Sequence, residues 1–273
     1  MVIFMNPKYD LLLEILRGIG DTAAAFSGGA DSALLLKAAS DALGNGVLAV
    51  TADSCAMPRS EAAAARAFCE QYGIRQTVLD FDMMQIPAMQ TNPRNRCYDC
   101  KKALFTQILS LAAENGFSRV IEGTNADDPA EDRPGMRALA ELHVRSPLRE
   151  AGLTKAEIRQ ISREFGLPTA DKPSGACLAT RVPFGEAVTP EKLRQIEQAE
   201  EHLHRLGFLQ CRVRLHGGLA RIEILPEQFV QIIQPETRQQ ITEALKQCGF
   251  SYISLDLEGY RSGSMNRTIN TEG

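Results

Sequence analysis

The stretch Ala25-Phe26-Ser27-Gly28-Gly29-Ala30-Asp31-Ser32 constrains this chain more than any other. It joins a short apolar run, Thr22–Phe26, to a helical pattern over Asp31–Leu43. Glycines let a backbone turn tightly and come close to a phosphate, and the free amides of a helix N-terminus favour an anion there. Ser27 and Ser32 add hydroxyl donors, and Asp31 adds an oxygen for a cation. A Walker A loop is excluded, because GxxxxGK(S/T) is absent.

The chain around this loop alternates strand and helix. Thr22–Phe26, Val47–Ala52, Gln76–Phe81 and Arg119–Glu122 read as buried strands, and Asp31–Leu43, Arg59–Tyr72 and Asp99–Asn115 as helices. That order predicts the α/β class, a parallel sheet with helices on both faces. In such a sheet ligands gather at the carboxyl ends of the strands. Asp53 and Ser54 end the second strand there and are candidates for adenosine contacts. Gly123 and Asn125 end the fourth, followed by Asp127 and Asp128. Together with Asp31, these two carboxylates are candidates to hold Mg²⁺ against phosphate oxygens.

Thr154-Lys155-Ala156-Glu157 reads as a capping box that opens one more helix, to about Phe165. Residues 166–188 are rich in Gly, Pro and Ser and read as a long functional loop. Thr189 and Pro190 then supply an N-cap and a first-turn proline for a helix to about Leu206. Strands at Cys211–Leu215 and Leu219–Ile224, a helix at Pro235–Gln247 and a strand at Tyr252–Leu257 complete a smaller α+β domain. The expected domains are residues 1–175 and 176–273.

Seven cysteines and no secretion signal point to reduced thiols and a cytoplasmic protein. No apolar stretch approaches the roughly 18–20 residues that span a bilayer. A net charge of −4 argues against a large nucleic-acid surface. Cys97 and Cys100 stand at CxxC spacing near a helix N-terminus, which favours thiolates. Cys177 follows in Asp171-Lys172-Pro173-Ser174-Gly175-Ala176-Cys177, where Lys172 and Arg181 are expected to stabilise a thiolate. A redox pair, half a zinc site, three unrelated thiols and a three-thiolate iron–sulfur site with one open iron all remain compatible with this spacing. Cys55, Cys69, Cys211 and Cys248 read as small buried hydrophobes.

The Ser-Gly-Gly loop resembles the PP-loop of the N-type ATP pyrophosphatases, which implies a Rossmann-like sheet and cleavage of ATP between its α and β phosphates. A longer set of motifs is more specific: SGGADS, TADS, NPRNRCYDCKKALF, EGTNADD, SPLREAGLTKAEIR, ADKPSGACLATRVPFGE, CRVRLHGGLARIE and DLEGYRSGSMN. Together they resemble the ATP-dependent sulfur transferases of nickel-pincer (lactate racemase) cofactor synthesis, the LarE family, from about residue 8 to residue 267.

That resemblance implies adenylation of the carboxylates of pyridinium-3,5-biscarboxylic acid mononucleotide, followed by sulfur transfer to the bisthiocarboxylic acid product. One branch of the family sacrifices a cysteine in the position of Cys177. Another carries three cysteines, here Cys97, Cys100 and Cys177, for a 4Fe-4S cluster. The implied cofactors are ATP, Mg²⁺ and that cluster. Residues 1–175 are then the adenylating domain, and 176–273 the substrate-binding and sulfur-transfer domain. Arg212 and Arg214, alternating on one strand, and Arg261 are the expected anion pocket for the substrate phosphate. Glu200, Glu201, Glu223 and Asp256 are candidate bases for opening a C–S bond. The expected partners are a small mononucleotide substrate and further copies of the chain, with no membrane and no nucleic acid. A PP-loop tRNA thiolase with a three-cysteine cluster and a non-catalytic nucleotide-binding protein are the rival readings.

Overall fold

In the computed structural model, which describes residues 6–128, 134–173 and 175–261, the elements follow one another in this order. The first part holds α1 (Pro7–Ile19), β1 (Thr22–Ala25), α2 (Ala30–Leu43), β2 (Val47–Asp53), α3 (Arg59–Tyr72), β3 (Gln76–Asp80), α4 (Ala88–Thr91) and α5 (Arg96–Glu114). Next come β4 (Val120–Ile121), α6 (Pro134–Glu141), α7 (Pro147–Glu150) and α8 (Lys155–Glu164). The last part holds α9 (Pro190–Arg205), β5 (Cys211–His216), β6 (Leu219–Ile224), α10 (Phe229–Ile232), α11 (Pro235–Gln247) and β7 (Tyr252–Leu255).

β1 to β4 form one sheet in the order β3-β2-β1-β4, parallel throughout. This is the expected α/β architecture. Parallel strands with helices on both faces lose contact with water on each side, which explains the run of buried Ala and Val in β1 and β2. One face packs on α1, α2 and α8 through Leu12, Leu16, Leu34, Leu36, Ile158 and Ile161. The other packs on α5 and α6 through Phe105, Ile108, Ala112 and Leu139. The strand order reverses between β1 and β4, and such a reversal opens a crevice at the carboxyl ends of the two strands.

β5, β6 and β7 form a second sheet, antiparallel between β5 and β6 and parallel between β6 and β7. Its interior is set by Val213, Leu215, Ala220, Ile222 and Ile224, with Leu193, Ile196 and Leu203 buried along α9.

By chain contacts the protein divides into two units. The first comprises residues up to Ile86 and then from Asn95; the second comprises Pro87–Arg94 and the chain from Gly175. The short insertion is stitched into the second unit. Asn92, fully buried, donates to the carbonyls of Val182 and Pro183, while Gly185 donates to the Asn92 carbonyl and Val188 to that of Met89.

Most expected elements stand within a residue or two of their predicted ends. The exceptions have local causes. α5 starts at Arg96, so both thiols of the CxxC pair lie in its first two turns. β4 keeps only two residues, beside an isolated bridge from Ile121 to Arg145. β7 stops at Leu255, because Asp256 accepts the Gly259 amide on its carbonyl and the Glu258 amide on its side chain, and so turns the chain. α6, α7 and α10, each eight residues or fewer, are short elements that the expected strand and helix order does not include.

Candidate functional site

The first unit places a glycine-containing turn where the strand order reverses. β1 ends at Ala25, and the chain turns through Ser27 and Gly28 into Gly29, which caps α2 with no side-chain partner. Gly28 has φ of +74°, a left-handed conformation that glycine adopts without a steric penalty. The amides at the start of α2 are therefore free of a capping side chain. The Ser27 and Ser32 hydroxyls stand 3.1 Å apart, and Ser32 also donates to the Gly29 carbonyl. Across the reversal, Gly123 follows β4. A Cβ there would lie 3.0 Å from the Ser32 amide nitrogen and 3.2 Å from its Cα. The chain leaving β4 thus packs directly on the backbone of the first turn of α2.

Beyond Gly123 the loop is rigidly wired. Glu122, buried, accepts the Thr124 amide and hydroxyl and the Ser146 hydroxyl. Asn125 accepts the Asp127 amide, and the Asp128 carboxylate accepts the Asn125 amide. Asp53 and Ser54 stand half-buried at the end of β2.

Two lysines that sequence reasoning did not assign to this site stand in it. Lys155 pairs with Asp31 at 2.6 Å through its ammonium and donates its backbone amide to Asp127 at 2.7 Å. It therefore ties together two of the carboxylates expected to hold Mg²⁺. The other Asp31 oxygen is buried and accepts no hydrogen bond. Such an oxygen suits a cation or a bound water, and Mg²⁺ commonly takes only one or two protein carboxylates beside phosphate oxygens. The residues present fit that ion.

Lys172 lies beside the loop. It donates to the Gly28 carbonyl at 3.0 Å and pairs with Glu61 of α3. The capping box of α8, present as expected with Thr154 and Glu157 satisfying each other, is the local signal that aims Lys155 inward.

The thiols divide between the units. Cys97, exposed, and Cys100, half-buried, lie one turn apart on α5; Cys177, exposed, belongs to the second unit. They are accessible soft donors, the right kind for iron and sulfide. Among the described residues, however, no group of three His, Cys, Asp or Glu side chains is gathered to hold a metal ion. Cys69 and Cys211 are buried; burial pushes the Cys69 thiol up to about 11 and raises that of Cys211 further. Cys55 and Cys248 are only half-buried.

Of the expected anion-binding arginines of the second unit, Arg212 and Arg214 are buried and Arg261 is half-buried. Arg214 grips Glu223 with two hydrogen bonds of 3.1 and 2.8 Å. Arg212 stands over the Tyr260 ring at 5.1 Å and donates to the Cys211 carbonyl. Burial first, then the neighbouring Arg181 charge, push its guanidinium below the ordinary value. A cation stressed in this way gains most from an anion brought to it. Arg261 pairs with Glu258.

Of the candidate bases, Glu200 is buried. Both its oxygens accept from Arg181 at 2.9 Å, and one also accepts the Val213 amide. Glu223, fully buried, meets Arg214 and Arg221. Glu201 is a surface partner of Arg205, and Asp256 binds Arg221. Arg181 spends its charge on Glu200 and on backbone carbonyls.

No helix among the described residues is long and apolar enough to cross a membrane. No family model matches the chain. An uncharacterized protein of Synechocystis, slr1717, is 41% identical over 97% of this chain and 99% of its own length. The pyridinium-3,5-bisthiocarboxylic acid mononucleotide synthase of Lactiplantibacillus plantarum is 34% identical over 97% of this chain and 96% of its own. A component of the glutamine-hydrolysing GMP synthase of Thermoplasma volcanium is 32% identical over 68% of this chain and 64% of its own.

Proposed function

This chain belongs to the LarE family of sulfur-transferring synthases of the pincer-cofactor pathway, and from that membership we propose that it adenylates the carboxylates of a pyridinium biscarboxylic acid mononucleotide and exchanges oxygen for sulfur. The observation that carries this reading is the reach of the similarity. The pyridinium mononucleotide synthase matches 97% of the chain, whereas the GMP synthase component matches 68%.

Each step has a physical rationale. A carboxylate is a poor electrophile. Its oxygen attacks the α-phosphorus of ATP, pyrophosphate leaves, and the acyl-adenylate then carries AMP as a good leaving group. The free amides at the start of α2, with Ser27, Ser32 and Lys172, hold the pyrophosphate end. Asp53 and Ser54 meet the adenosine, with Gly123 and Asn125 on the opposite wall. Asp31, Asp127 and Asp128 are the carboxylates that would hold Mg²⁺, which when bound neutralises the charge developing on pyrophosphate. In the second unit, Arg212, Arg214 and Arg261 take the substrate phosphate.

A thiolate then attacks the acyl carbon and AMP departs. If Cys177 gives up its own sulfur, its Sγ forms the thioester. Removal of the Cα proton then breaks the Cβ–Sγ bond, leaving the thiocarboxylate on the substrate and dehydroalanine in the chain. Glu201 is the candidate base with an exposed carboxylate; Glu200, Glu223 and Asp256 are less exposed and committed to arginines. In the other route Cys97, Cys100 and Cys177 ligate a 4Fe-4S cluster, which when bound supplies a labile sulfide and makes the chain reusable.

The test is anaerobic purification with iron and sulfide analysis of the wild type and of Cys97→Ala, Cys100→Ala and Cys177→Ala, with ATP, substrate and intact-mass measurement. Substrate-dependent pyrophosphate and a thiocarboxylate product are expected. Loss of one H₂S from Cys177 marks sacrifice, and cluster loss in all three variants marks the cluster. A shift of labelled tRNA with no turnover of the mononucleotide would overturn the reading.

A further inference from the structure

Two buried ion pairs of the second unit converge on one short piece of backbone, the piece that carries Cys177. Arg181 grips Glu200 through Nε and Nη2, which leaves Nη1 to donate to the carbonyls of Ala176 at 2.8 Å and Cys177 at 3.2 Å and to the Thr180 hydroxyl at 3.0 Å. Arg214 grips Glu223 in the same way, and its Nη1 donates to the Thr180 carbonyl at 3.1 Å. The Cys177 carbonyl also accepts the Thr180 amide at 2.9 Å and the Thr180 hydroxyl at 2.8 Å. Glu200 is fixed in turn by the Val213 amide of β5. All four charged side chains are at least nine-tenths buried, while the cysteine they surround is exposed.

We propose that Arg181–Glu200 and Arg214–Glu223 form a two-point clamp on residues 176–180, with Arg181 and Glu200 as positioning residues that present the Cys177 thiol from a fixed base. A buried ion pair is a costly way to gain stability and a good way to select one conformation, since no other arrangement satisfies its charges. Each guanidinium keeps one nitrogen for the loop after its carboxylate is satisfied, so loop geometry and ion-pair geometry are a single choice. The thiol gains reach without backbone slack, which matters because attack on an acyl carbon tolerates little misplacement. The role of Cys177 in sulfur transfer rests on the proposed function; the clamp itself does not.

The experiment compares full-length wild type with Arg181→Lys, which keeps the charge and loses the fork, and Thr180→Val, which removes only the hydroxyl. Amide hydrogen exchange and single-turnover transfer from ATP and the pyridinium mononucleotide are both measured. In Arg181→Lys, the amides of Thr180 and Val182 are expected to exchange about threefold to tenfold faster, the effect of one net hydrogen bond. Amides of β5 and β6 should be unchanged. The rate of thiocarboxylate formation is expected to fall by about tenfold to hundredfold, with KM and pyrophosphate release unaltered. Thr180→Val should show a smaller change at the same amides. Unchanged exchange at Thr180 and Val182 in both variants overturns the clamp, as does faster local exchange with undiminished transfer. A wild type that forms no thiocarboxylate at all overturns instead the proposed function, and the exchange pattern then judges the clamp alone.

Discussion

At the scale of single residues, the glycines of the first unit carry the sharpest consequences. Gly123→Ala would drive a methyl group against the backbone nitrogen and Cα of Ser32, atoms that cannot rotate away. Either α2 or the end of β4 must shift. The expected result is a folded protein whose ATP-dependent pyrophosphate release is about tenfold to hundredfold slower, the usual penalty for misplacing a reacting group by about 1 Å. Steady-state release assays beside circular dichroism check this. The Ser-Gly-Gly turn was legible in the sequence because its chemistry is local: glycines, a preceding strand and a following helix. The partners of Lys172 were not. It lies 144 residues from Gly28 in the chain, and its nearness to Cys177 suggested a thiolate instead.

At the scale of elements, caps were the most readable features and short helices the least. Thr154 and Glu157 cap α8 as the four-residue pattern predicts, and Thr189 caps α9. Glu157 does a second job that no local pattern reveals. Its carboxylate also binds Lys8 of α1 at 2.7 Å. The Lys8 hydrogen bond first, then the Thr154 bonds, lower its pKa from 4.5 to about 2. The sign follows directly. As pH falls below about 4.5 the unfolded chain takes up a proton that the native carboxylate still refuses, so this contribution to stability fades and is gone below about 2. Glu157→Gln should therefore flatten the acid limb of the stability curve between those values, as measured by urea unfolding at stepped pH.

At the scale of the whole molecule, the groups proposed to bind the nucleotide fall in the first unit and the buried arginines and Cys177 in the second. Cys177→Ala is expected to keep substrate-dependent pyrophosphate release while the thiocarboxylate disappears, in a coupled assay that follows both. Glu200→Ala would strand Arg181 in the interior and is expected to cost about 3–5 kcal/mol, visible as a large drop in melting temperature. The parallel sheet was legible from alternating strand and helix patterns. The ion pairs were not, because Arg214 on a strand and Glu200 on a helix look solvent-facing until the fold closes over them and supplies Glu223 and Arg181 as partners.

The insertion of Pro87–Arg94 has a consequence for anyone who wishes to cut this protein apart. A break at residue 175, where composition suggests a seam, removes Met89 and Asn92 from the half they plug, and both are almost wholly shielded from water. The carboxyl-terminal fragment would emerge with an unfilled groove along 182–188. It is expected to aggregate on its own and to recover a cooperative melt only when a synthetic peptide of residues 87–94 is added. The halves are interlaced along the chain, so neither can be grafted onto another scaffold as a contiguous cassette.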